Sequence, residues 1–455
     1  MITFKEGNLR IPRWNRKVFM VAGGTTAYRK YFPDYKLEEL VMMAAKQCLE
    51  DNDLKMASEE VRGLVNFCAY GEFADHFQDQ LLCEAKVHDY LGFDPLYNIG
   101  VKTGGATGGS TMLAAAMAVA SGYADVAFVA GWERMDEVDT RTGNYYISTA
   151  ACKDFETRLG RIYSSYYAPM ANRFAWQYNL SETTRAKVAV KNRRYACSSP
   201  YAQQPGKHTV EEILASPMSA YPLRFLECCA MSVGAASALL CSEGWAHKLS
   251  EKPVEVFIAG GAHTLRVADR RHMEIPLLPH ERPDMYRGVG EEVPRWPGFE
   301  SFLAARFAAC LAYGMADIRD PLEELDFVEL HDAFTISDIQ TYGDIGLRPY
   351  GQEPDYIESG DAYYGGKCPS NLSGGLLGTM HAVGATGIFQ AVECLWQIQE
   401  KYDKFHGDPS IWEKWGKSKP GDWQSLQVVN PRQGLWVSHA GVGSHVTVGI
   451  LRKAF

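Results

Sequence analysis

At 455 residues, 46% hydrophobic and 22% charged, the chain exceeds a single core and reads as a globular protein of two or more units. A net charge of −9 excludes a broad nucleic-acid-binding surface. Eleven cysteines without a repeated CxxC pair, Cys228 and Cys229 being merely adjacent, exclude a readable zinc framework and predict reduced thiols in a cytoplasmic setting. The most apolar stretch, 112–131, is broken by Ser121, Gly122 and Asp125, so no membrane span is expected. The N-terminus, with Lys5, Arg10, Arg13, Arg16 and Lys17 before any apolar run, does not read as a signal peptide. Arg270, Arg271, Lys187, Lys191, Arg193 and Arg194 form either a local patch for a phosphorylated ligand or a solvated helix face.

Val18 to Gly23 is an apolar run ending in Gly-Gly, a first buried strand. Spacing of apolar residues predicts a helix over 37–50, a strand over 63–70 and a helix over 78–92. A strand over 95–101 then enters the turn Val101-Lys102-Thr103-Gly104-Gly105-Ala106-Thr107-Gly108-Gly109-Ser110. A small-residue helix over 110–121 and a strand over 124–129 complete a βαβ unit, which aims backbone N–H groups and one turn residue at a ligand. Enzymes with an acyl intermediate put Cys or Ser on such a turn. Here the apex is Gly105, so the site is shaped for acyl chemistry but lacks an obvious nucleophile.

From 132 to 226 charged and aromatic residues mix without alternation, with helical spacing at 163–178 and 181–197. This reads as a long insertion lying over the site. Residues 231–241 are small and apolar, and 254–261 form a strand. The second half partly repeats the first: a helix over 297–314, a strand over 327–330, a glycine-rich turn over 371–387 leading into a helix over 388–400, and strands over 434–439 and 445–451. Alternation of strands with helices makes the class α/β, and the repeated turn–helix units predict two halves, 1–265 (including the insertion) and 266–455.

Three histidines sit at strand–turn junctions. His331 follows Phe327-Val328-Glu329-Leu330. His381 lies within the glycine frame from Ser373 to Gly387. His439 lies in Val437-Ser438-His439-Ala440-Gly441-Val442-Gly443. Imidazole donates a hydrogen bond to a developing oxyanion or moves a proton near neutral pH, and neighbouring glycines let a substrate approach the backbone. A lone histidine is commonly structural; three in equivalent turns point to a shared site.

These motifs resemble the thiolase superfamily, most closely the sterol-carrier-protein type. That pattern runs Cys-Ala-Thr-Gly-Ser, His-Asp-Cys-Phe, Asn-Pro-Ser-Gly-Gly with Gly-His-Pro-Leu-Gly-Ala-Thr-Gly, and a final His-Asn-Leu-Gly-type turn. The chain has Gly105-Ala106-Thr107-Gly108, His331-Asp332-Ala333-Phe334, Asn371-Leu372-Ser373-Gly374-Gly375 with His381-Ala382-Val383-Gly384-Ala385-Thr386-Gly387, and His439-Ala440-Gly441-Val442-Gly443. The resemblance implies a five-layered αβαβα fold of two similar halves with an inserted loop domain. It also implies coenzyme A thioester substrates, a homodimer, no metal in this chain, and a small zinc-ribbon OB-fold (DUF35-type) partner subunit. His331 and His381 match the residues that hold the thioester enolate. The backbone N–H groups of Gly105 and of the Gly441 turn match a second oxyanion pocket. Met231 to Ala238 resembles a small-residue helix packed behind the site.

Two departures govern the functional reading. Both family thiols are missing, one at Gly105 and one at Ala333, and neither Thr107 nor Ser110 lies in a Gly-x-Ser-x-Gly elbow. The leading expectation is an acyl-CoA C–C lyase that acts by retro-aldol or aldol chemistry on a β-hydroxyacyl-CoA through an enolate, without an acyl-enzyme. Acyl transfer by direct attack of coenzyme A on a β-ketoacyl-CoA is the alternative, and a non-catalytic scaffold subunit is a third reading. His439, His381, Tyr363 and Tyr364 are the base candidates, His439 preferred.

Overall fold

The computed structural model describes residues 10–55, 58–263, 276–282 and 298–454. The first half contributes β1 (Val18–Thr25), α1 (Leu37–Glu50), β2 (Phe67–Glu72), α2 (Cys83–Leu91), β3 (Asn98–Val101), α3 (Thr107–Ser121) and β4 (Val126–Arg134). The insertion carries α4 (Tyr163–Tyr178) and α5 (Glu182–Ala196) and returns through β5 (Val233–Ser242). The second half contributes β6 (Val254–Ala262), α6 (Leu303–Ala316), β7 (Phe327–Glu329), α7 (Thr335–Asp344), α8 (Val383–Ile398), β8 (Gln433–Ala440) and β9 (His445–Lys453).

Strands run in the order β3-β2-β4-β5-β1-β6-β9-β8-β7, and a parallel bridge from Val328 to Ser370 extends the far edge. β1 and β6 meet only through Phe19–Glu255 and Met20–Val254, which makes this contact a seam. Outward from it, one side reads β1, β5, β4, β2, β3 and the other β6, β9, β8, β7, Ser370. Both are first, fifth, fourth, second and third strands of their half, so the topology is repeated. The division at 265/266 falls outside the described residues.

Helices complete five layers. α1 covers β1 and β5 on one outer face, and α6 covers β6 and β9 on the other. α3 and α8 pack together between the sheet halves, each touching strands of both. α1 is stripe-buried through Leu37, Leu40, Val41, Ala44, Ala45 and Cys48, the spacing of a one-sided helix, and Glu39 accepts the Lys36 N–H at 2.7 Å to cap it. α8 is buried on every side, with Ile388, Phe389, Leu395 and Trp396 each stabilising the core by about 1.5–3 kcal/mol. Among the described residues no helix is long and apolar enough to cross a membrane.

The α/β class and the layered architecture agree with the sequence reading, and helix 163–178 forms at its expected bounds. Three local expectations are corrected. Residues 233–242 are strand β5, not a helix: they pair along their length with β4 and β1. Their small side chains suit a central strand covered by α1 on one face and α8 on the other. Residues 59–64 are a short helix capped by Ser58, so β2 begins at Phe67 rather than at Gly63. α8 begins at Val383, before the predicted 388, because Gly384 and Gly387 are helical residues at tight crossings rather than turn residues.

Candidate active site

Four chain turns meet at one end of the central layer. β7 runs parallel to β8 with Glu329 opposite Trp436, so His331, just past β7, and His439, near the end of β8, extend side by side. Their ring centroids are 4.2 Å apart. His381, on the turn before α8, stands 5.0 Å from His331 at 86°. Gly105, on the topologically equivalent turn before α3, presses against β8: a Cβ there would lie 2.4 Å from the His439 carbonyl oxygen. His331, His381, His439 and Gly105 together line a cavity of about 410 Å³, within the range of small-molecule sites.

Hydrogen bonding sets what each ring offers. The His439 backbone N–H donates to His331 Nδ1 at 3.4 Å, which leaves Nε2 as the protonated donor of a neutral ring. Burial first, then the neighbouring His439 and His381, push the His331 pKa well below its ordinary value. His381 Nδ1 lies 3.0 Å from Thr386 Oγ1, and that hydroxyl also reaches the Ala382 carbonyl at 3.1 Å. Rotation of this one hydroxyl makes His381 Nε2 either a donor or a bare base. Burial lowers the His381 pKa to about 4, and its backbone N–H donates to Ser232 Oγ at 2.9 Å.

Asp332 ties these turns together. It accepts the N–H groups of Leu376 (2.6 Å) and Leu377 (3.2 Å) from the glycine frame and Asn192 Nδ2 (2.7 Å) from α5. Burial, then Asp338, holds its carboxyl above the usual range.

Residues of the inserted segment line part of the cavity wall. Asn144, Ile147, Tyr163 and Tyr167 from this segment, with Cys228 and Cys229 just after it, line the cavity. The two thiols were read in the sequence only as evidence against zinc. Their placement follows from a long-range bridge between Cys228 and Phe334 and the Cys229 N–H donating to the Ala333 carbonyl at 2.9 Å. Burial pushes the Cys228 thiol up to about 12 and also raises that of Cys229, so both stay protonated and are weak nucleophiles at neutral pH.

Other residues weighed in the sequence do not line the cavity. Gly441 is not among the residues that line it. Thr107 Oγ1 accepts the Thr103 N–H at 2.9 Å and Ser110 Oγ accepts from Thr103 Oγ1 at 2.8 Å; both stabilise the turn. Tyr364 donates to the Gln427 carbonyl at 3.0 Å and lies, with Tyr363, off the cavity lining. The basic patch does not assemble. Lys191 is buried on Ser370, Arg193 is buried on the Leu226 and Cys228 carbonyls, and Lys187 pairs with Glu358 at 2.5 Å. Arg270 and Arg271 lie outside the described residues. Lys30, on the cavity lining, was not singled out by any motif.

Comparison with known proteins agrees with this geometry. Family models described as thiolase, N-terminal domain, and thiolase C-terminal domain-like match residues 18–244 and 291–407. An acetyl-CoA acetyltransferase of Methanothermobacter thermautotrophicus is 32% identical over 372 residues, covering 82% of this chain and 88% of the relative. Sterol carrier protein 2 of Gallus gallus is 28% identical over 396 residues, covering 84% of this chain and 66% of the relative. The solved structure of the Ltp2-ChsH2(DUF35) aldolase superposes with a TM-score of 0.71 at 19% identity, covering 96% of this chain and 98% of that one. With the repeated halves, the buried helix pair and the histidine-lined cavity in place, the chain belongs to the thiolase superfamily, in its sterol-carrier-protein-2 type.

Proposed function

We propose that this protein is a coenzyme A-dependent C–C lyase, cleaving a β-hydroxyacyl-CoA or running the reverse aldol addition through a thioester enolate. The carrying observation is Gly105. Its backbone is pressed so close to β8 that the first carbon of any side chain falls 2.4 Å from the His439 carbonyl oxygen, whereas the imidazoles around it are retained. A Claisen cleavage through an acyl-enzyme needs a nucleophile at this point; an aldol cleavage needs only that the enolate be held. His331 Nε2–H and His381 hold the thioester oxygen as charge develops, and a donor of this kind contributes about 3–4 kcal/mol to such a transition state. His439 and Gly105 complete the reacting face. The Gly441 turn is kept in this proposal as the second oxyanion donor that the family pattern implies.

The test is product release. Incubation with β-hydroxyacyl-CoAs bearing alkyl and aryl β-substituents, including 3-hydroxy-3-phenylpropanoyl-CoA, is expected to give an aldehyde or ketone and a shortened acyl-CoA without free coenzyme A. A covalent acyl-protein detected by intact mass during turnover contradicts the reading. The name of the acetyltransferase relative favours a second reading, direct attack of coenzyme A thiolate on a β-ketoacyl-CoA in a ternary complex. Intersecting initial-rate lines and formation of two thioesters distinguish it. We extend to this chain a homodimeric core and a small zinc-ribbon OB-fold (DUF35-type) partner, supported by the DUF35 component named in the aldolase structure; co-purification from the native source checks it.

A further inference from the structure

Two separate hydrophobic groups bound the cavity. Phe73, Met135, Val138, Ile147, Met231 and Val383 all line it and pack into one small cluster. Tyr163, Tyr167 and Phe334 also line it but belong with a different core. This second group is a fixed set of rings. Tyr167 and Phe334 stack at 4.4 Å and 25°, and Tyr163 lies 6.4 Å from Phe334 at 21°. Each wall is tied to the histidines. Tyr167 stands 6.3 Å from the His439 ring and Phe334 follows closely on His331, whereas Val383 follows closely on His381. Lys30 and Asp136 also line the cavity, but neither belongs to a wall, and Asp136 is paired with Arg134 at 2.9 Å. A glycine sets the room at one point. The helix Thr140–Ser148 presents Thr140, Asn144 and Ile147 to the cavity, the i, i+4, i+7 spacing of one helical face. Gly143 lies beside that face, and a Cβ there would fall 2.7 Å from the Met231 methyl carbon and 3.3 Å from its sulfur. Met231 occupies the space that the missing side chain leaves.

We propose that these two walls bind an aromatic ring carried on the β-carbon of the substrate acyl group, and that Gly143 sets the room for that ring through Met231; this deepens the C–C lyase reading and rests on its thioester substrate. With the thioester oxygen at His331 and His381, whose rings are 5.0 Å apart, the β-substituent extends between the wall that continues from each. Walls without charged side chains favour an uncharged substituent, because a charge buried there would go unpaired. Rings already fixed by packing lose little freedom when a ligand arrives, and they offer stacked or edge-on contacts that a saturated chain cannot return. The thioethers of Met135 and Met231 add sulfur–aromatic contacts and adapt to the outline of a ring. In cleavage the ring leaves with the carbonyl product, an aryl aldehyde or ketone; in the aldol direction the same walls take that product up. A side chain at position 143 displaces the flexible end of Met231 from the helix, and the cavity that Met231 lines is the open volume it moves into.

The test uses the full chain and reads binding apart from cleavage. Calorimetry compares 3-phenylpropanoyl-CoA, 3-cyclohexylpropanoyl-CoA and hexanoyl-CoA, none of which has a β-hydroxyl to cleave, with acetyl-CoA as reference. The phenyl thioester is expected to bind about tenfold more tightly than the hexanoyl one and about threefold more tightly than the cyclohexyl one. Equal affinities, or a preference for the saturated groups, overturn the aromatic assignment. Gly143→Ala is expected to cut the ratio of phenylpropanoyl to acetyl affinity by about tenfold, and Met231→Ala, which removes atoms from the wall, to raise the affinity for 3-(2-naphthyl)propanoyl-CoA relative to 3-phenylpropanoyl-CoA by about tenfold. Unchanged ratios overturn the role of Gly143 and Met231, and should Gly143→Ala not fold, the Met231→Ala ratio decides alone. Cleavage of 3-hydroxy-3-phenylpropanoyl-CoA is followed separately. Tighter binding of the aryl thioester with no aldehyde released overturns the lyase reading and leaves the ring site standing, whereas binding of none of the thioesters overturns both.

Discussion

A side chain at position 105 would have to displace the β8 backbone, because its first carbon falls 2.4 Å from the His439 carbonyl oxygen and 3.2 Å from Ala440 Cα. The missing nucleophile is thus built into the chain path as well as the residue choice. The imidazoles, by contrast, are ready at neutral pH. Both His331 and His381 have pKa values depressed by burial, that of His381 to about 4, so each stays neutral wherever the pH exceeds its depressed value, including the region near 6.5 where a free imidazole titrates. Exchange of acyl-CoA α-hydrogens is therefore expected to be level from pH 8 to about 5 and to fall only as pH approaches 4, when His381 gains a proton. Mass-spectrometric exchange rates across this range check it, and an inflection near 6.5 contradicts it. At this scale the histidines were legible because glycine frames them. Cys228, Cys229 and Tyr163 were not, because they reach the cavity through long-range pairing and helix packing that leave no local pattern.

The elements that carry these residues are held in register by Asp332. Its carboxylate joins the His331 segment to the glycine frame of His381 through the Leu376 and Leu377 N–H groups and to helix α5 through Asn192. A Cβ on Gly375 would lie 2.3 Å from Asp332 Oδ2, so the glycine frame is shaped around this carboxylate. Asp332→Asn keeps the volume but turns an amide NH2 toward donors on one side. It is expected to destabilise the protein by about 1–3 kcal/mol and to slow α-hydrogen exchange at least tenfold, since His331 and His381 lose their mutual geometry. Denaturant midpoints and exchange rates measured together check it, and unchanged values of both contradict the role of Asp332. The sequence displayed Asp332 within the His331 motif, but Asn192 sat unmarked in an insertion read for its aromatic residues. Helix α4 was legible from its spacing alone, whereas β5 was taken for a helix on the family resemblance, since small residues on both faces erase the alternation that marks a strand.

At the scale of the molecule, two copies of one topology share a single buried helix pair. Their equivalence is a matter of backbone pairing, which explains why residue identity between the halves gave only turn–helix echoes while the strand order repeats fully. The insertion occupies, between β4 and β5, the place that the tight strained turn holds between β8 and β9; one half thereby supplies cavity-lining residues that the other half has no room to carry. Everything converges where α3 crosses α8. A Cβ on Gly108 would lie 2.6 Å from the Gly387 nitrogen, and one on Gly387 would lie 2.3 Å from the Gly109 nitrogen. These contacts are backbone against backbone, so no side chain can rotate away. Gly108→Ala must separate the helices, and because each touches strands of both halves, the loss cannot be confined to one half. The substitution is expected to lower stability by about 1–3 kcal/mol, discounted by the few tenths to 1 kcal/mol that alanine gains over glycine in a helix. Unfolding should remain one transition at a lower midpoint by both circular dichroism and tryptophan fluorescence. Two separated transitions in the variant would mean that the halves fold independently and that the helix crossing is not what joins them.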